Sequence, residues 1–216
     1  MTGLPATWAQ QPEHARRLGE HLRAAHPGYA GIKVIPEPLG LIYAETLDNH
    51  GQVCGDSALL DGQVAVIDIG HHTLDVAVLR RMVPVPSSLD TYQLGTARPL
   101  QQIRAKLSAT FERELTLYET DRAVRDEAIQ VGNQRRALPS HWDRPLLQHA
   151  EALTARLVEA WGSGAQFECI LIGGGGAELA SLTEAIQQRF SHARPVAQPQ
   201  TAIARGYARL ARRLGQ

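Results

Sequence analysis

Residues 64–78 read VAVIDIGHHTLDVAV, two apolar and largely β-branched runs set around a short turn, with Asp68 near the end of the first and Asp75 near the start of the second. Runs of this kind predict a buried β-hairpin. A carboxylate at the inner end of an apolar run costs free energy unless it meets a cation or hydrogen-bond donors. Asp68 is therefore read as facing a hydrated magnesium ion beside a phosphate, because magnesium keeps most of its waters and needs only one or two carboxylates, reached through water. Gly70 gives the turn room to approach an anion, and Thr73 offers a hydroxyl and an amide. Two readings of the hairpin stand: a phosphate-binding turn, or an ordinary buried hairpin. Asp75 is open between a second outer-shell group for the metal and a cap of the turn.

About a hundred residues on, Ile170 to Leu179 (ILIGGGGAEL) runs a hydrophobic strand into four glycines and then a helix. The dinucleotide fingerprint needs glycine at the first, third and sixth places, but the sixth is Glu178 counting from Gly173 and Leu179 counting from Gly174. No GxxxxGK[ST] occurs, which removes the P-loop class. What remains is a glycine turn that lets a flat base or ribose lie against backbone, with helix-terminal amides nearby, or a purely structural turn. His71 and His72 form no familiar ligand set, since adjacent side chains in a turn diverge and no cysteine or carboxylate completes the spacing. Beside a phosphate they would instead add hydrogen-bond donors. His21 and His26 lack the i, i+4 spacing of a helical zinc pair.

The bulk numbers narrow the partners. Twenty-two basic and twenty-two acidic residues in 216 give formal neutrality, so no global field attracts nucleic acid or anionic lipid, and direct DNA binding is not expected. A hydrophobic content of 44% supports a real core. Cys54 and Cys169 form no CxxC pattern, no apolar stretch approaches the roughly 20 residues needed to cross a bilayer, and MTGLPATWAQ lacks the features of a secretion signal. A cytoplasmic protein without membrane contact is expected.

Along the chain, helices are predicted over 11–25, 39–47, 96–111, 141–161, 177–190 and 201–214, with Leu146, Leu147, Leu153 and Leu157 facing inward from the fourth. Strands are predicted over 31–35, through the hairpin, and over 82–93 as an edge strand because of Pro84 and Pro86. Residues 111–129 are charged and helix-compatible, 131–140 reads as a polar surface excursion, and 195–199 as a short extended piece. Pro36-Glu37-Pro38 places Glu37 at a strand-to-helix corner, where the helix dipole alone would also favour a carboxylate.

DIGHHTLD after an apolar strand, ILIGGGGAEL later and TAIARGYARLA near the end resemble, in order and approximate spacing, three signatures of the actin-like ATPases, nearest to the plasmid-segregation ParM/StbA branch. TGLP at Thr2–Pro5 and VIPEPLGLIYA at Val34–Ala44 extend that resemblance over nearly the whole chain. The resemblance implies an α/β fold of the actin, heat-shock-chaperone and sugar-kinase superfamily, with a mixed five-stranded, ribonuclease H-like sheet flanked by helices. It implies a remnant of a first domain with its hinge helix over residues 1–50, a second nucleotide-binding domain over 51–200 and a C-terminal helix over 201–216. By the same resemblance, ATP or ADP with Mg2+ is the ligand. Asp68 acts on the metal with Asp75, and Gly70, His71, His72 and Thr73 lie at the phosphates. Gly173, Gly174, Gly175, Gly176 and Glu178 lie at the adenosine, and Glu37 orients the attacking water.

The family opens with another phosphate loop that has no counterpart before Thr2, so the chain is expected to match only the latter part of such a protein, with weak turnover by itself. Self-association into filaments and a DNA-binding adaptor are the expected partners. Two other readings remain open: a non-enzymatic interaction or filament-capping module, and a sugar- or acetate-kinase-like phosphotransferase.

Overall fold

The computed structural model describes residues 1–29 and 31–215. A small parallel pair, β1 (Thr2–Leu4) with β2 (Val34–Pro36), brackets helices α1 (Ala6–Ala9) and α2 (Pro12–Ala25). Helix α3 (Leu39–Thr46) and the short α4 (Ser57–Asp61) follow, the latter capped by the Asp56 side chain accepting from the Leu59 amide. The hairpin then forms as β3 (Gln63–Ile69) and β4 (Leu74–Arg80), antiparallel in unbroken register.

The main sheet has six strands rather than the expected five. Its order is β10 (Ala193–Pro195), β9 (Cys169–Gly173), β3, β4 and β5 (Val83–Pro84), with β6 (Asp90–Tyr92) also paired to β4. The single strand expected over 82–93 is split, because Pro86 begins a 3-10 turn, Pro86–Ser88. The Ser88 hydroxyl there takes the place of ladder bonds, accepting from the Val78 amide at 2.9 Å and donating to the Val85 carbonyl at 2.7 Å. Proline supplies no amide hydrogen, so a side chain completes the pairing.

Alternation along the central strands builds two cores. Ala65, Ile67 and Ile69 of β3, Leu74, Val76 and Val78 of β4, and Ile170 and Ile172 of β9 face one layer. That layer comprises α5 (Ala97–Thr110), α6 (Leu117–Asp126), α7 (Arg144–Trp161) and α8 (Ala180–Arg189). Val64, Val66, Ala77, Leu79, Cys169 and Leu171 face the other, built from α3, α4 and α9 (Pro199–Leu214). Burial on both faces is what the unbroken apolar runs require, and each fully buried aliphatic side chain contributes about 1.5–3 kcal/mol.

Several expectations meet corrections. Residues 131–140 are not a bare excursion: β7 (Ala128–Val131) and β8 (Gln134–Ala137) form a second antiparallel hairpin, turning at Gly132 with φ of 58°. Its second strand is exposed throughout, so no apolar alternation announced it. Leu147 is 47% exposed instead of inward, because it follows the buried Leu146 by one residue and a helix turns about 100° in that step. The helix expected over 177–190 starts with a 3-10 turn, Gly175–Glu178, before α8. The short pieces β1, α1 and α4 lacked a periodic signal. The last helix ends at Leu214, and Gln216 lies outside the described residues. Among the described residues no helix is long and apolar enough to cross a membrane.

Helices α3 and α9 cross at glycines. A Cβ on Gly206 would stand 1.9 Å from the Gly40 carbonyl oxygen, and one on Gly40 would stand 2.8 Å from the Ile203 Cα. The crossing is tied down beyond the glycines: Arg209 donates to the Ala44 carbonyl and to Asn49 Oδ1, and Arg213 donates to the Gly51 carbonyl. Gly206→Ala should therefore destabilise the fold by about 1–3 kcal/mol in urea denaturation. Gly19→Ala, in the middle of α2 with nothing within 4 Å of the added carbon, should stabilise it by about 0.5–1 kcal/mol.

Candidate functional site

Strands β3 and β9 run parallel and side by side, with Asp68 opposite Gly173 in the register. The turn after β3 and the glycine loop after β9 therefore leave the sheet at the same edge, at the carboxyl ends of neighbouring parallel strands, where open α/β sheets bind ligands. Both loops line one cavity of about 250 Å³, formed by His71, Thr96, Gly175, Gly176, Gln200 and Arg125 with the faces of α5 and α6. Larger hollows of about 510, 610 and 350 Å³ include no residue of the hairpin turn, and Asp68 itself lies beneath the turn, off the cavity wall.

The hairpin turn is fixed from behind. The Gly70 amide donates to the Thr73 carbonyl at 2.9 Å, and the carbonyls of Gly70, His71 and His72 accept from the amides of Thr96, Ala97 and Gly95 at the start of α5. Gly95 is pinned there, since a Cβ would meet the His71 carbonyl oxygen at 2.4 Å. His71 and His72 are exposed with ring centroids 4.6 Å apart, and of the two only His71 lines the cavity.

The four glycines divide their tasks. Gly173 leaves room for Leu41 of α3, which a Cβ would meet at 2.2 Å. Gly174 adopts φ of +81°, and its missing side chain makes space for Asp68, whose Oδ1 would lie 2.3 Å from a Cβ. Gly175 has only the Gln200 Cγ at 3.8 Å and so has room on its cavity side, while Gly176, also on the cavity wall, packs closely on Ile69 and Thr96. Glu178 is not on this cavity; it pairs with Arg125 at 2.6 Å. Arg125 also holds Asp121, one helical turn earlier, and donates to the Gly175 carbonyl at 3.1 Å, which fastens α6 to the glycine loop. Sequence reasoning passed over Arg125, although its i, i+4 spacing from Asp121 was a readable signal.

Beneath the turn, Glu37, Asp68 and Asp75 each offer a carboxylate oxygen, and these oxygens lie within 4.8 Å of one another. Glu37 is held at its corner by its own amide, which donates to the Leu4 carbonyl at 2.8 Å. Asp75 is 1% exposed and accepts from the Thr73 hydroxyl at 2.7 Å, the Thr91 hydroxyl at 2.6 Å and the Ala6 amide at 2.7 Å. It caps the turn and anchors α1, as one of its two sequence readings expected, while its carboxylate also stands in the trio. Asp68, 6% exposed, is pushed up to about 7 by burial, then by Asp75 and Glu37. Burial, followed by Asp75, also raises Glu37. Tyr207 of α9 stands beside the trio, its phenol pushed above its ordinary range by burial and by the three carboxylates. Crowded buried carboxylates of this kind require protons or a cation, and an all-oxygen donor set suits magnesium reached partly through water.

Because Asp68 binds its proton more tightly folded than unfolded, its contribution is complete below the ordinary carboxylate value and is lost as pH rises through about 7; Glu37, also raised, acts in the same direction. Metal-free protein should lose stability between about pH 4 and 7, by up to about 1.4 kcal/mol per pH unit from Asp68. Asp68→Asn should flatten that slope in denaturation curves recorded across the range.

Comparison with known structures gives the fold a context. The archaeal actin homologue Ta0583, solved in complex with ADP, superposes with a TM-score of 0.66 at 18% identity over 83% of this chain and 57% of its own. The ParM of a 15-stranded filament from Clostridium botulinum gives 0.71 at 17% identity, covering 95% of this chain and 64% of its own. MreB5 of Spiroplasma citri bound to ADP gives 0.65 at 13% identity, covering 88% and 63%. The chain thus spans less than two thirds of each of these proteins. Comparison with curated proteins finds no match. Residues 66–193, more than half of the chain and the stretch running from the hairpin through the glycine loop to β10, match the family described as archaeal actin homologue MreB-like, C-terminal. With its actin-like α/β fold, the chain belongs to that family.

Proposed function

We propose that the cavity binds an adenosine nucleotide with Mg2+, and that the chain is the second nucleotide-binding part of an actin-like, filament-forming ATPase. The observation that carries this reading is the pairing of Asp68 with Gly173, which opens the hairpin turn and the glycine loop onto one cavity. Support comes from Ta0583 and the Spiroplasma citri protein, both solved with ADP, and from the Clostridium botulinum ParM, solved as a filament.

In this reading Gly70, His71, His72 and Thr73 face the phosphates, and Gly173 to Gly176, steadied by the Arg125–Glu178 pair, border the nucleoside. Asp68 reaches the metal through water, with Asp75 behind it. Bound magnesium supplies charge neutralisation of the phosphate oxygens. Glu37 holds the attacking water, a role suited to phosphoryl transfer, which needs positioning and charge stabilisation more than covalent help. Residues 1–50 serve as the remnant of a first domain, 51–200 as the nucleotide domain and 201–216 as the closing helix.

The physiological setting we propose is plasmid or DNA segregation in the cytoplasm. Head-to-tail self-association is heterologous and propagates without closure. DNA is held through an adaptor, in keeping with the neutral composition.

Calorimetry with ADP or ATP, with and without Mg2+, tests this reading beside a phosphate-release assay. Saturable, magnesium-dependent binding is expected. Asp68→Ala should lower the magnesium-dependent affinity at least about tenfold, or about 1.4 kcal/mol, while leaving the circular dichroism spectrum unchanged; unchanged binding contradicts the role given to Asp68. Binding without phosphate release would favour a non-enzymatic interaction module, and phosphorylation of a sugar or acetate panel would favour the kinase relatives.

A further inference from the structure

Among the buried polar groups that the proposed chemistry does not use, the Tyr207 hydroxyl is the most sharply placed. It is buried and has no hydrogen-bond partner among the described residues. It belongs to α9, while the carboxylates beside it come from the β2–α3 corner and from the central hairpin. Its position is recorded by Gly3 of β1: a Cβ there would stand 1.8 Å from the Tyr207 hydroxyl oxygen and 2.8 Å from the Glu37 Cγ. Gly3 thus vacates one point onto which the phenol and the Glu37 side chain converge. The ring packs with Ile203 against the α3–α9 core, so the hydroxyl is presented by a fixed element.

Native structures rarely leave a buried hydroxyl without a partner. Asp75 has three donors of its own, so it makes no demand on the phenol. Among the described residues, no side-chain hydrogen bond or ion pair competes for the Glu37 carboxylate.

 Of the two carboxylates without donors among the described residues of the trio, Glu37 and Asp68, Glu37 is the one whose side chain converges with the phenol at Gly3.

We propose that Tyr207 is a positioning residue of the nucleotide site: in the ligand-bound protein its hydroxyl, unpaired in this structure, donates to the Glu37 carboxylate and so orients the carboxylate toward the water it holds beside the metal and phosphates. The proposal rests on the nucleotide reading given above. A phenol suits this task because it is a neutral donor. It orders the carboxylate without adding a charge to the trio.

Tyr207→Phe keeps the ring and removes only the hydroxyl. Calorimetric titration with ADP, in Mg2+ and again in EDTA, reads its effect on the full chain beside wild type, with thermal melting of the ligand-free proteins as the folding control. The expected result is a ligand-free melting temperature equal to or above that of wild type, ADP affinity in Mg2+ lowered about tenfold, and affinity in EDTA unchanged. A purely packing role would move both affinities together or neither. Equal affinity in Mg2+ for the two proteins overturns the proposal while leaving the nucleotide site standing. Absence of ADP binding by wild type in either buffer overturns the nucleotide reading and this proposal with it.

Discussion

The parallel ladder between β3 and β9 is the constraint on which the rest of the molecule depends. Its register sets Asp68 against Gly173, and from that one pairing follow the shared edge of the two loops, the room that Gly174 must leave for the Asp68 carboxylate, and the cavity between the turn and α6. A slip of one residue would exchange the faces of β3 and turn Asp68 to the opposite side of the sheet. The two cores oppose such a slip, because Val64 and Val66 belong to one of them and Ala65, Ile67 and Ile69 to the other.

The electrostatics of the site come from this same packing. Three carboxylates brought together beneath the turn are partly or wholly cut off from water, and only Asp75 is met by a full set of donors. Asp68 and Glu37 retain an unmet demand for positive charge or protons, which raises both. The α3–α9 crossing brings the Tyr207 phenol to the same place, where its buried hydroxyl has no partner among the described residues.

Much of this was legible in the residues, for physical reasons that differ by element. The central hairpin and β9 announced themselves because burial on both faces demands unbroken apolar runs, and the carboxylate within such a run marked Asp68. The six-stranded sheet was harder to read. Whether residues 82–93 form one strand or two depends on the Ser88 hydroxyl substituting for ladder bonds, a tertiary detail without periodicity. The β7–β8 hairpin escaped because its second strand is exposed throughout and carries polar side chains. Among the site residues, motif order pointed to both loops, but Arg125, Gln200 and Tyr207 become neighbours of those loops only once the helices are packed. No spacing within the chain assigns the separate tasks of the four glycines, since each depends on what lies opposite: Leu41, Asp68, open cavity, or Ile69 with Thr96.

The central claim is that two loops distant in the chain serve one ligand, and amide chemical-shift mapping during a titration with ADP and Mg2+ tests it most directly. The account predicts that the amides of Gly70 to Thr73 and of Gly173 to Gly176 shift together, along one saturable curve. Shifts confined to one loop, or following two separate curves, would contradict it.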